Sequence, residues 1–229
     1  MDTRTRILEA AAALLADSPV ADVSTRAVCE AAGVGAPALY RQFGDKEGLL
    51  SAVVDYGFDQ YLAGKRAAKP SADPVQDLRD GWDSHVAFAV SHPSYYRLMY
   101  SPAVSAPPEA AAEAHRLLVA VLERCAAAGR LRMSPEAAGQ MVMSANVGVA
   151  LMLVSRTATY TPDVSTRVRD AIHAAILTPD GSGGQAPGDT ASVAISLGAL
   201  LRQSPAPVLT EAETALLHEW LNRLSEPKV

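Results

Sequence analysis

Residues 24–49 read STRAVCEAAGVGAPALYRQFGDKEGL, and this stretch limits the possible folds more than any other part of the chain. Ser24 is placed to cap a short helix that turns Ala27, Val28, Ala31 and Ala32 inward. Gly33, free to take a positive φ, ends that helix. Pro37 suits the first turn of a second short helix, where its missing N–H would be unpaired in any case. Leu39 and Phe43 lie four apart and share a buried face. Two short helices joined tightly at Gly33-Val34 form a helix-turn-helix. The second helix packs by only two or three side chains, so its other face, with Tyr40, Arg41 and Gln42, is expected to be exposed. Planar, hydrogen-bonding side chains on an exposed helix suit the major groove of DNA. The same spacing also suits a short helical pair inside an ordinary bundle, and spacing alone leaves both readings open.

The rest of the chain extends the helical pattern. Ile7, Leu8, Ala11, Leu14 and Leu15 make one helical stripe, ending near Asp17-Ser18-Pro19. A fourth helix carries Leu49, Leu50, Val53, Val54 and Tyr61 and ends near Lys69-Pro70. Asp73-Pro74 opens a helix with Val75, Leu78, Trp82, His85, Val86 and Ala89 on one side, which Pro93 ends. A short helix over about Tyr95–Tyr100 follows, then one from Pro107-Pro108 to Gly129 and one from Ser134-Pro135 to about Thr157. Pro162 opens a helix with Val164, Val168, Ala171, Ile172, Ala175 and Ile176 inward. Residues Pro179–Gly188 read as a flexible linker. Two more helices close the sequence. The last starts from a capping box, Thr210 with Glu213, and carries Leu216, Leu217, Trp220, Leu221 and Leu224. Aromatic residues make up only 5% of the chain, while alanine and leucine are abundant, which favours helix further. No repeat or strand pattern is visible, and the expected fold class is all-α.

Composition narrows the function classes. Cys29 and Cys125 are far apart and make neither a disulfide framework nor a zinc site, which points to a reducing compartment. The first ten residues, MDTRTRILEA, are too charged for a signal peptide. The longest apolar run, Val147–Val154, has 8 residues, so no membrane span is expected. The net charge of −5 argues against a generally basic nucleic-acid binder but allows one local DNA-reading surface. Residues 1–50 hold five basic and seven acidic side chains, a net of −2, so the acids would have to face away from a duplex.

The constellation at 24–49 resembles the DNA-binding domain of the TetR family of transcriptional regulators. The Gly33-Val34 turn, Pro37, Leu39-Tyr40, Phe43, Asp45-Lys46-Glu47 and Leu49 stand in the order of that family's signature, with the stripe of the first helix upstream. The resemblance covers the first quarter of the chain. It implies a three-helix DNA-binding domain over residues 1–50 and a helical effector-binding and dimerisation domain over 51–229. It also implies a palindromic double-stranded DNA operator, a small-molecule effector, a homodimer and a repressor of the cytoplasm, with no membrane, cofactor or metal and no enzymatic activity. By the family's roles, Thr25 and Tyr40 meet phosphates, and Lys46 does so at the start of the fourth helix. Arg26 and Arg41 reach guanine, and Gln42 reaches adenine or a phosphate. Pro37 and Ala38 complete the DNA-facing set. Gly35 and Ala36 depart from the family pattern, which often has serine or threonine followed by a basic or polar residue. Arg4 and Arg6 are further candidate phosphate contacts.

Beyond the first 60 residues, Trp82, His85, Phe88, Tyr95, Tyr96, Met99 and Tyr100 form an aromatic-rich patch. Ordinary core packing and an effector pocket both account for it. The candidate ligand-binding residues are Trp82, His85, Phe88, Tyr96, Met99 and Tyr100, with Asn146, a polar group in an apolar run. The five histidines show no metal-binding spacing. Gly139 and Gly148 call for close packing by a partner helix or a ligand. The dimer is expected to form mainly through residues 134–178, flanked by the terminal pair 189–202 and 210–225. The leading function is a ligand-responsive repressor. The alternative is a ligand-binding helical module with weakened DNA binding. A helical enzyme lacks any visible nucleophile–base set, phosphate loop or metal cluster.

Overall fold

The computed structural model describes residues 2–16, 23–67, 69–100, 108–179, 190–204 and 206–225. Among these, the fold is all-α, and extended backbone pairs only at the isolated bridge between Leu131 and Leu177. The helices are α1 (Thr3–Ala16), α2 (Thr25–Ala32), α3 (Ala36–Phe43), α4 (Lys46–Ala67), α5 (Pro74–Ser91), α6 (Pro93–Met99), α7 (Pro108–Ala127), α8 (Pro135–Ser155), α9 (Asp163–Ile176), α10 (Thr190–Gln203) and α11 (Glu211–Ser225). The expected stop of the first helix at 17–19 and residues 180–188 of the expected linker lie outside the described residues.

The chain divides into two compact units. The first comprises residues 1–69, 84–114 and 150–161 and so holds α1 to α4, the second half of α5, and α6. Its core joins Ile7, Leu8, Ala11 and Leu15 of α1 to Val28 and Cys29 of α2, Leu39 of α3, Leu49, Val53, Val54 and Phe58 of α4, and Met99 of α6. Helical periodicity dictates this arrangement, because residues three and four apart present one apolar stripe to the neighbouring helices. Each fully buried Leu, Ile or Phe contributes about 1.5–3 kcal/mol. Gly57 brings α4 against α6 so closely that an added Cβ would lie 2.9 Å from the Tyr95 ring.

The second unit comprises residues 70–83, 115–149 and 162–229. Leu131 and Leu177 tie the segments that follow α7 and α9, with Arg132 N–H donating to Ile176 O at 2.9 Å and Thr178 N–H to Arg130 O at 3.1 Å. Helices α10 and α11 pack on one another, with Leu221 beside Gly198. The Thr210–Glu213 capping box forms as expected: Thr210 N–H donates to Glu213 Oε2 at 2.8 Å and Glu213 N–H to Thr210 Oγ1 at 3.3 Å.

Several local expectations change. Pro93 not only ends α5 but also begins α6, as proline does in a first helical turn. In α2, Ala31 is exposed and Cys29 is buried in its place. In α9, Ala171 and Ala175 are exposed, while the buried side chains are Ser165, His173 and Ile176. In α11, Leu221 is buried, but Leu216, Trp220 and Leu224 are exposed. Gly139 is tightly packed, since an added Cβ would lie 3.4 Å from His115 and Val119, whereas Gly148 faces open space. By length and mean hydropathy, 1.6 over its best window, α8 matches a bilayer span, although its apolar runs are short. In the fold it supplies the buried side chains Ala138, Val142, Asn146, Val149, Ala150, Leu153 and Val154.

Candidate nucleic-acid interface

The turn between α2 and α3 follows from three local interactions. Ser24 Oγ accepts the Ala27 N–H at 3.4 Å and caps α2. Gly33 sits at φ +62°, where its N–H and the next one close onto the last carbonyls of α2. A side chain with a Cβ would be strained in that left-handed conformation, so glycine is the fitting residue. Pro37 lies in the first turn of α3, and Leu39, fully buried, anchors that helix. Its opposite side presents Tyr40, 46% exposed, with Arg41 and Gln42 exposed beside it. At the next junction, Asp45 Oδ1 accepts the Gly48 N–H at 2.7 Å and caps α4. A Cβ on Gly48 would lie 2.1 Å from Phe43 O, so only glycine fits there.

The expected DNA-facing residues thus come from three helix starts and one helix face. Thr25 opens α2, Pro37 and Ala38 are in the first turn of α3, and Lys46 opens α4. A groove of about 400 Å³ lies between α2 and α3, and Thr25, Arg26, Glu30, Ala36 and Tyr40 are among its lining residues. Arg26 is not a bare cation there: its Nε pairs with Glu30 Oε1 at 3.0 Å, one helical turn along. Glu30 is a member of this surface that the sequence motif does not single out, although its i,i+4 relation to Arg26 is readable.

Arg4 and Arg6, the further candidate phosphate contacts, serve as internal clamps in this structure. Arg6 Nη2 donates to Ala32 O at 2.8 Å and to Gly33 O at 3.4 Å, where it complements the negative end of α2. Arg4 Nη1 donates to Gln42 O at 3.2 Å, and its guanidinium lies 4.8 Å from the Phe43 ring centre. Both arginines bind α1 to the ends of the two short helices. Their positions in α1 give no sign of this, because their partners are backbone carbonyls of other helices.

The candidate ligand-binding residues divide between the two units. In the first, His85 of α5 is buried, and both its ring nitrogens have phenol partners: Tyr61 Oη at 2.8 Å on Nδ1 and Tyr96 Oη at 2.6 Å on Nε2. Burial, reinforced by the Lys65 charge, pushes His85 down to about 3, so the ring is neutral. A neutral ring has one donor and one acceptor, so one phenol accepts and the other donates. Burial raises the Tyr61, Tyr96 and Tyr100 phenols. The Tyr96 and Tyr100 rings lie 4.9 Å apart and those of Tyr61 and Phe88 5.2 Å apart. Met99 joins the core that α6 shares with α1 and α4. In the second unit, Asn146 Nδ2 donates to Trp82 O at 3.4 Å, and the Trp82 indole N–H donates to Ser165 Oγ at 3.0 Å. His173 stands edge-on to that indole, a neighbour the sequence pattern does not single out. Cys29 and Cys125 are buried free thiols; burial pushes Cys125 up to about 12, which suits a packing role.

Residues 7–53 match the family model described as bacterial regulatory proteins, tetR family, and residues 78–202 match that of the tetracyclin repressor-like C-terminal domain. No curated protein matches the sequence. Among solved structures, a bacterial regulatory protein of the tetR family from Rhodococcus RHA1 is 21% identical, with TM-score 0.61, and the match covers 79% of this chain and 100% of that one. A TetR variant from Acinetobacter baumannii AYE in complex with minocycline is 20% identical, with TM-score 0.57 and coverage of 76% and 93%. NalD from Pseudomonas aeruginosa, the secondary repressor of the MexAB-OprM multidrug efflux pump, is 19% identical, with TM-score 0.55 and coverage of 76% and 95%. At such identities the structures support the fold, while the two family models together span most of the chain. The chain belongs to the TetR family of transcriptional regulators.

Proposed function

We propose that this regulator is a ligand-responsive repressor that binds a palindromic operator as a homodimer and leaves it when a small-molecule effector binds. Residues 1–50 would read DNA, and residues 51–229 would bind effector and dimerise. The observation that carries this reading is the exposed face of α3, where Tyr40, Arg41 and Gln42 project from a helix held from behind by Leu39. Thr25, Tyr40 and Lys46 are assigned to phosphates, Arg26, Arg41 and Gln42 to base edges or phosphates, and Pro37 and Ala38 to close approach. Helix α6 shares a core with α1 and α4, and the His85–Tyr61–Tyr96 chain ties α5 to both α4 and α6. An effector that displaces this chain would act directly on the helices that carry the DNA-reading segment. His85, Phe88, Tyr96, Met99 and Tyr100 are assigned to that response in the first unit, and Trp82 and Asn146 in the second.

The dimer is assigned chiefly to α10 and α11, with α8 and α9 contributing, which reverses the emphasis expected from the sequence. Val193, Leu197 and Leu200 of α10 and Leu216, Trp220 and Leu224 of α11 are large, apolar and exposed. A helix that is apolar on both its buried and its outer side, as α10 is, is normally covered on both. A second copy of the chain is the occupant that family membership supports. On α8, Met141 is exposed and Gly148 faces open space, as a close helix–helix crossing requires.

The second reading, a module with weakened DNA binding, is favoured by the Arg26–Glu30 pair and by the diversion of Arg4 and Arg6 to backbone carbonyls. Operator capture by the wild-type chain, and its loss of preference at one base position per half-site in Arg41→Ala, distinguishes the two. Failure of the wild type to select any sequence would favour the weakened module.

A further inference from the structure

The groove of about 400 Å³ between α2 and α3 has two kinds of lining. Arg26, Glu30 and Tyr40 are exposed and polar, and Arg26 and Glu30 are already paired with each other at 3.0 Å. Cys29, Val34 and Ala36 are apolar. Cys29 is buried and Val34 half-buried, so they form the floor, while Ala36 is exposed on the α3 wall, one helical turn before Tyr40. Gly35 and Pro37 beside it are exposed too, and none of residues 34–39 has a polar side chain. Tyr40 supplies the first polar group of α3.

The fold does not demand this smooth wall. Gly35 has φ −79° and ψ 152°, a conformation open to residues with a Cβ, and an added Cβ would make only ordinary contact with Pro37 Cδ at 3.5 Å. A serine or aspartate there would cap α3, which has no side-chain cap. Ala36 faces solvent, so a longer polar side chain would fit in its place.

The N-terminal residues of a recognition helix are those that meet base edges in the major groove. Tyr40 belongs both to the exposed face of α3 and to the groove, so a duplex seated on that face brings base edges to Ala36. Guanine, adenine and cytosine present hydrogen-bonding groups there, and against Val34 and Ala36 those atoms would lose water and gain no partner. Thymine adds a C5-methyl, the base-edge group that an apolar wall complements. 5-Methylcytosine carries the same methyl.

We infer that Ala36, above the floor of Val34 and Cys29, reads the C5-methyl of one pyrimidine in each half-site. The inference rests on the reading of α3 as the operator-contacting helix and adds the base group that its first turn selects.

The test uses the full-length chain and duplexes that it selects from two random pools, one of ordinary DNA and one with 5-methylcytosine in place of cytosine. Each thymine of a selected duplex is then replaced by deoxyuridine, and each 5-methylcytosine by cytosine, which removes only the methyl. At one position per half-site this should weaken wild-type binding about three- to fivefold, the worth of one buried methyl, and about ten- to twenty-five-fold when both half-sites are changed. A sensitive thymine assigns the methyl to thymine, and sensitivity confined to the second pool assigns it to 5-methylcytosine. Ala36→Gln should abolish the methyl effect and favour adenine at that position. Ala36→Gly, which removes the contact and adds no polar group, should abolish the effect as well and serves if Ala36→Gln fails to fold. Selective binding with no methyl-sensitive position, or a methyl effect that persists at full size in both variants, would overturn the inference and leave α3 as the reading helix. A wild-type chain that selects no sequence from either pool would overturn both readings.

Discussion

Replacing Glu30 by glutamine removes a negative charge from the groove between α2 and α3 and frees Arg26 from its partner at 3.0 Å. Both side chains are largely exposed, at 88% and 67%, so the pair adds little to folding, under about 0.5 kcal/mol. Its effect on DNA is larger, because a paired arginine neutralises no phosphate charge. With Arg26, Arg41 and Lys46 as the cations of each subunit, a dimer brings six to the duplex. At about 0.9 ions released per contact, the log–log salt slope is about −5 when all six engage and about −4 when both Arg26 side chains stay with Glu30. Glu30→Gln should therefore steepen the slope by about 1–2 and tighten binding at ~0.1 M salt by roughly ten- to fiftyfold. Where the freed Arg26 meets a phosphate the gain should be similar for operator and unrelated DNA, and where it meets a base edge the operator should gain more. Fluorescence anisotropy of labelled duplexes across a salt series measures both quantities. An unchanged slope with unchanged affinity would refute the reasoning and place Arg26 and Glu30 away from the duplex.

Other substitutions probe the clamps, the dimer and the buried histidines. Arg6→Ala removes charge-assisted bonds to Ala32 O and Gly33 O and should lower stability by about 1–2 kcal/mol without changing the salt slope; denaturant unfolding beside the salt series checks this. The pair Leu197→Glu and Trp220→Glu should convert the dimer to a monomer in sedimentation, whereas an intact dimer would move the interface to α8 and α9. Acid should destabilise the fold through His85 and His173, which burial lowers to about 3 and about 4. The unfolded chain takes up these protons near pH 6.5 and the native chain only well below it, so stability is full above about pH 6.5 and falls as the pH drops towards about 4, by up to about 1.4 kcal/mol per unit per histidine. Equilibrium unfolding at a series of pH values should flatten over this window in His85→Gln and His173→Gln.

The helix boundaries and the DNA-reading segment are legible in the sequence because local chemistry decides them. Ser24, Gly33 and Pro37 each fix backbone geometry within a few residues of themselves, and the structure realises those caps and turns and adds the Asp45–Gly48 cap of α4. The roles of Arg4 and Arg6 are not legible, because their partners are 26 to 38 residues away and are backbone carbonyls. The inward faces of α9 and α11 escape sequence reasoning for a related reason. Apolar residues lie on more than one side of each helix, and periodicity alone does not say which side meets the rest of this chain and which stays exposed. Periodicity assigns Ala171 and Ala175 to the core, whereas His173 and Ser165 hold that place beside Trp82. The aromatic patch is visible as a group, but its internal order, with His85 bonded to two phenols, depends on the tertiary fold.

The most direct test of the central claim is selection of bound sequences from random duplex DNA by the full-length chain, repeated with Arg41→Ala. The expected product is an inverted repeat whose half-sites are about one helical turn apart, roughly 34–36 Å or a close variant, bound by a dimer. Arg41→Ala is expected to relax one position in each half-site and leave the others unchanged. A selected pool with no enriched sequence, or a preference that does not change in Arg41→Ala, would contradict the assignment of α3 as the helix that reads the operator.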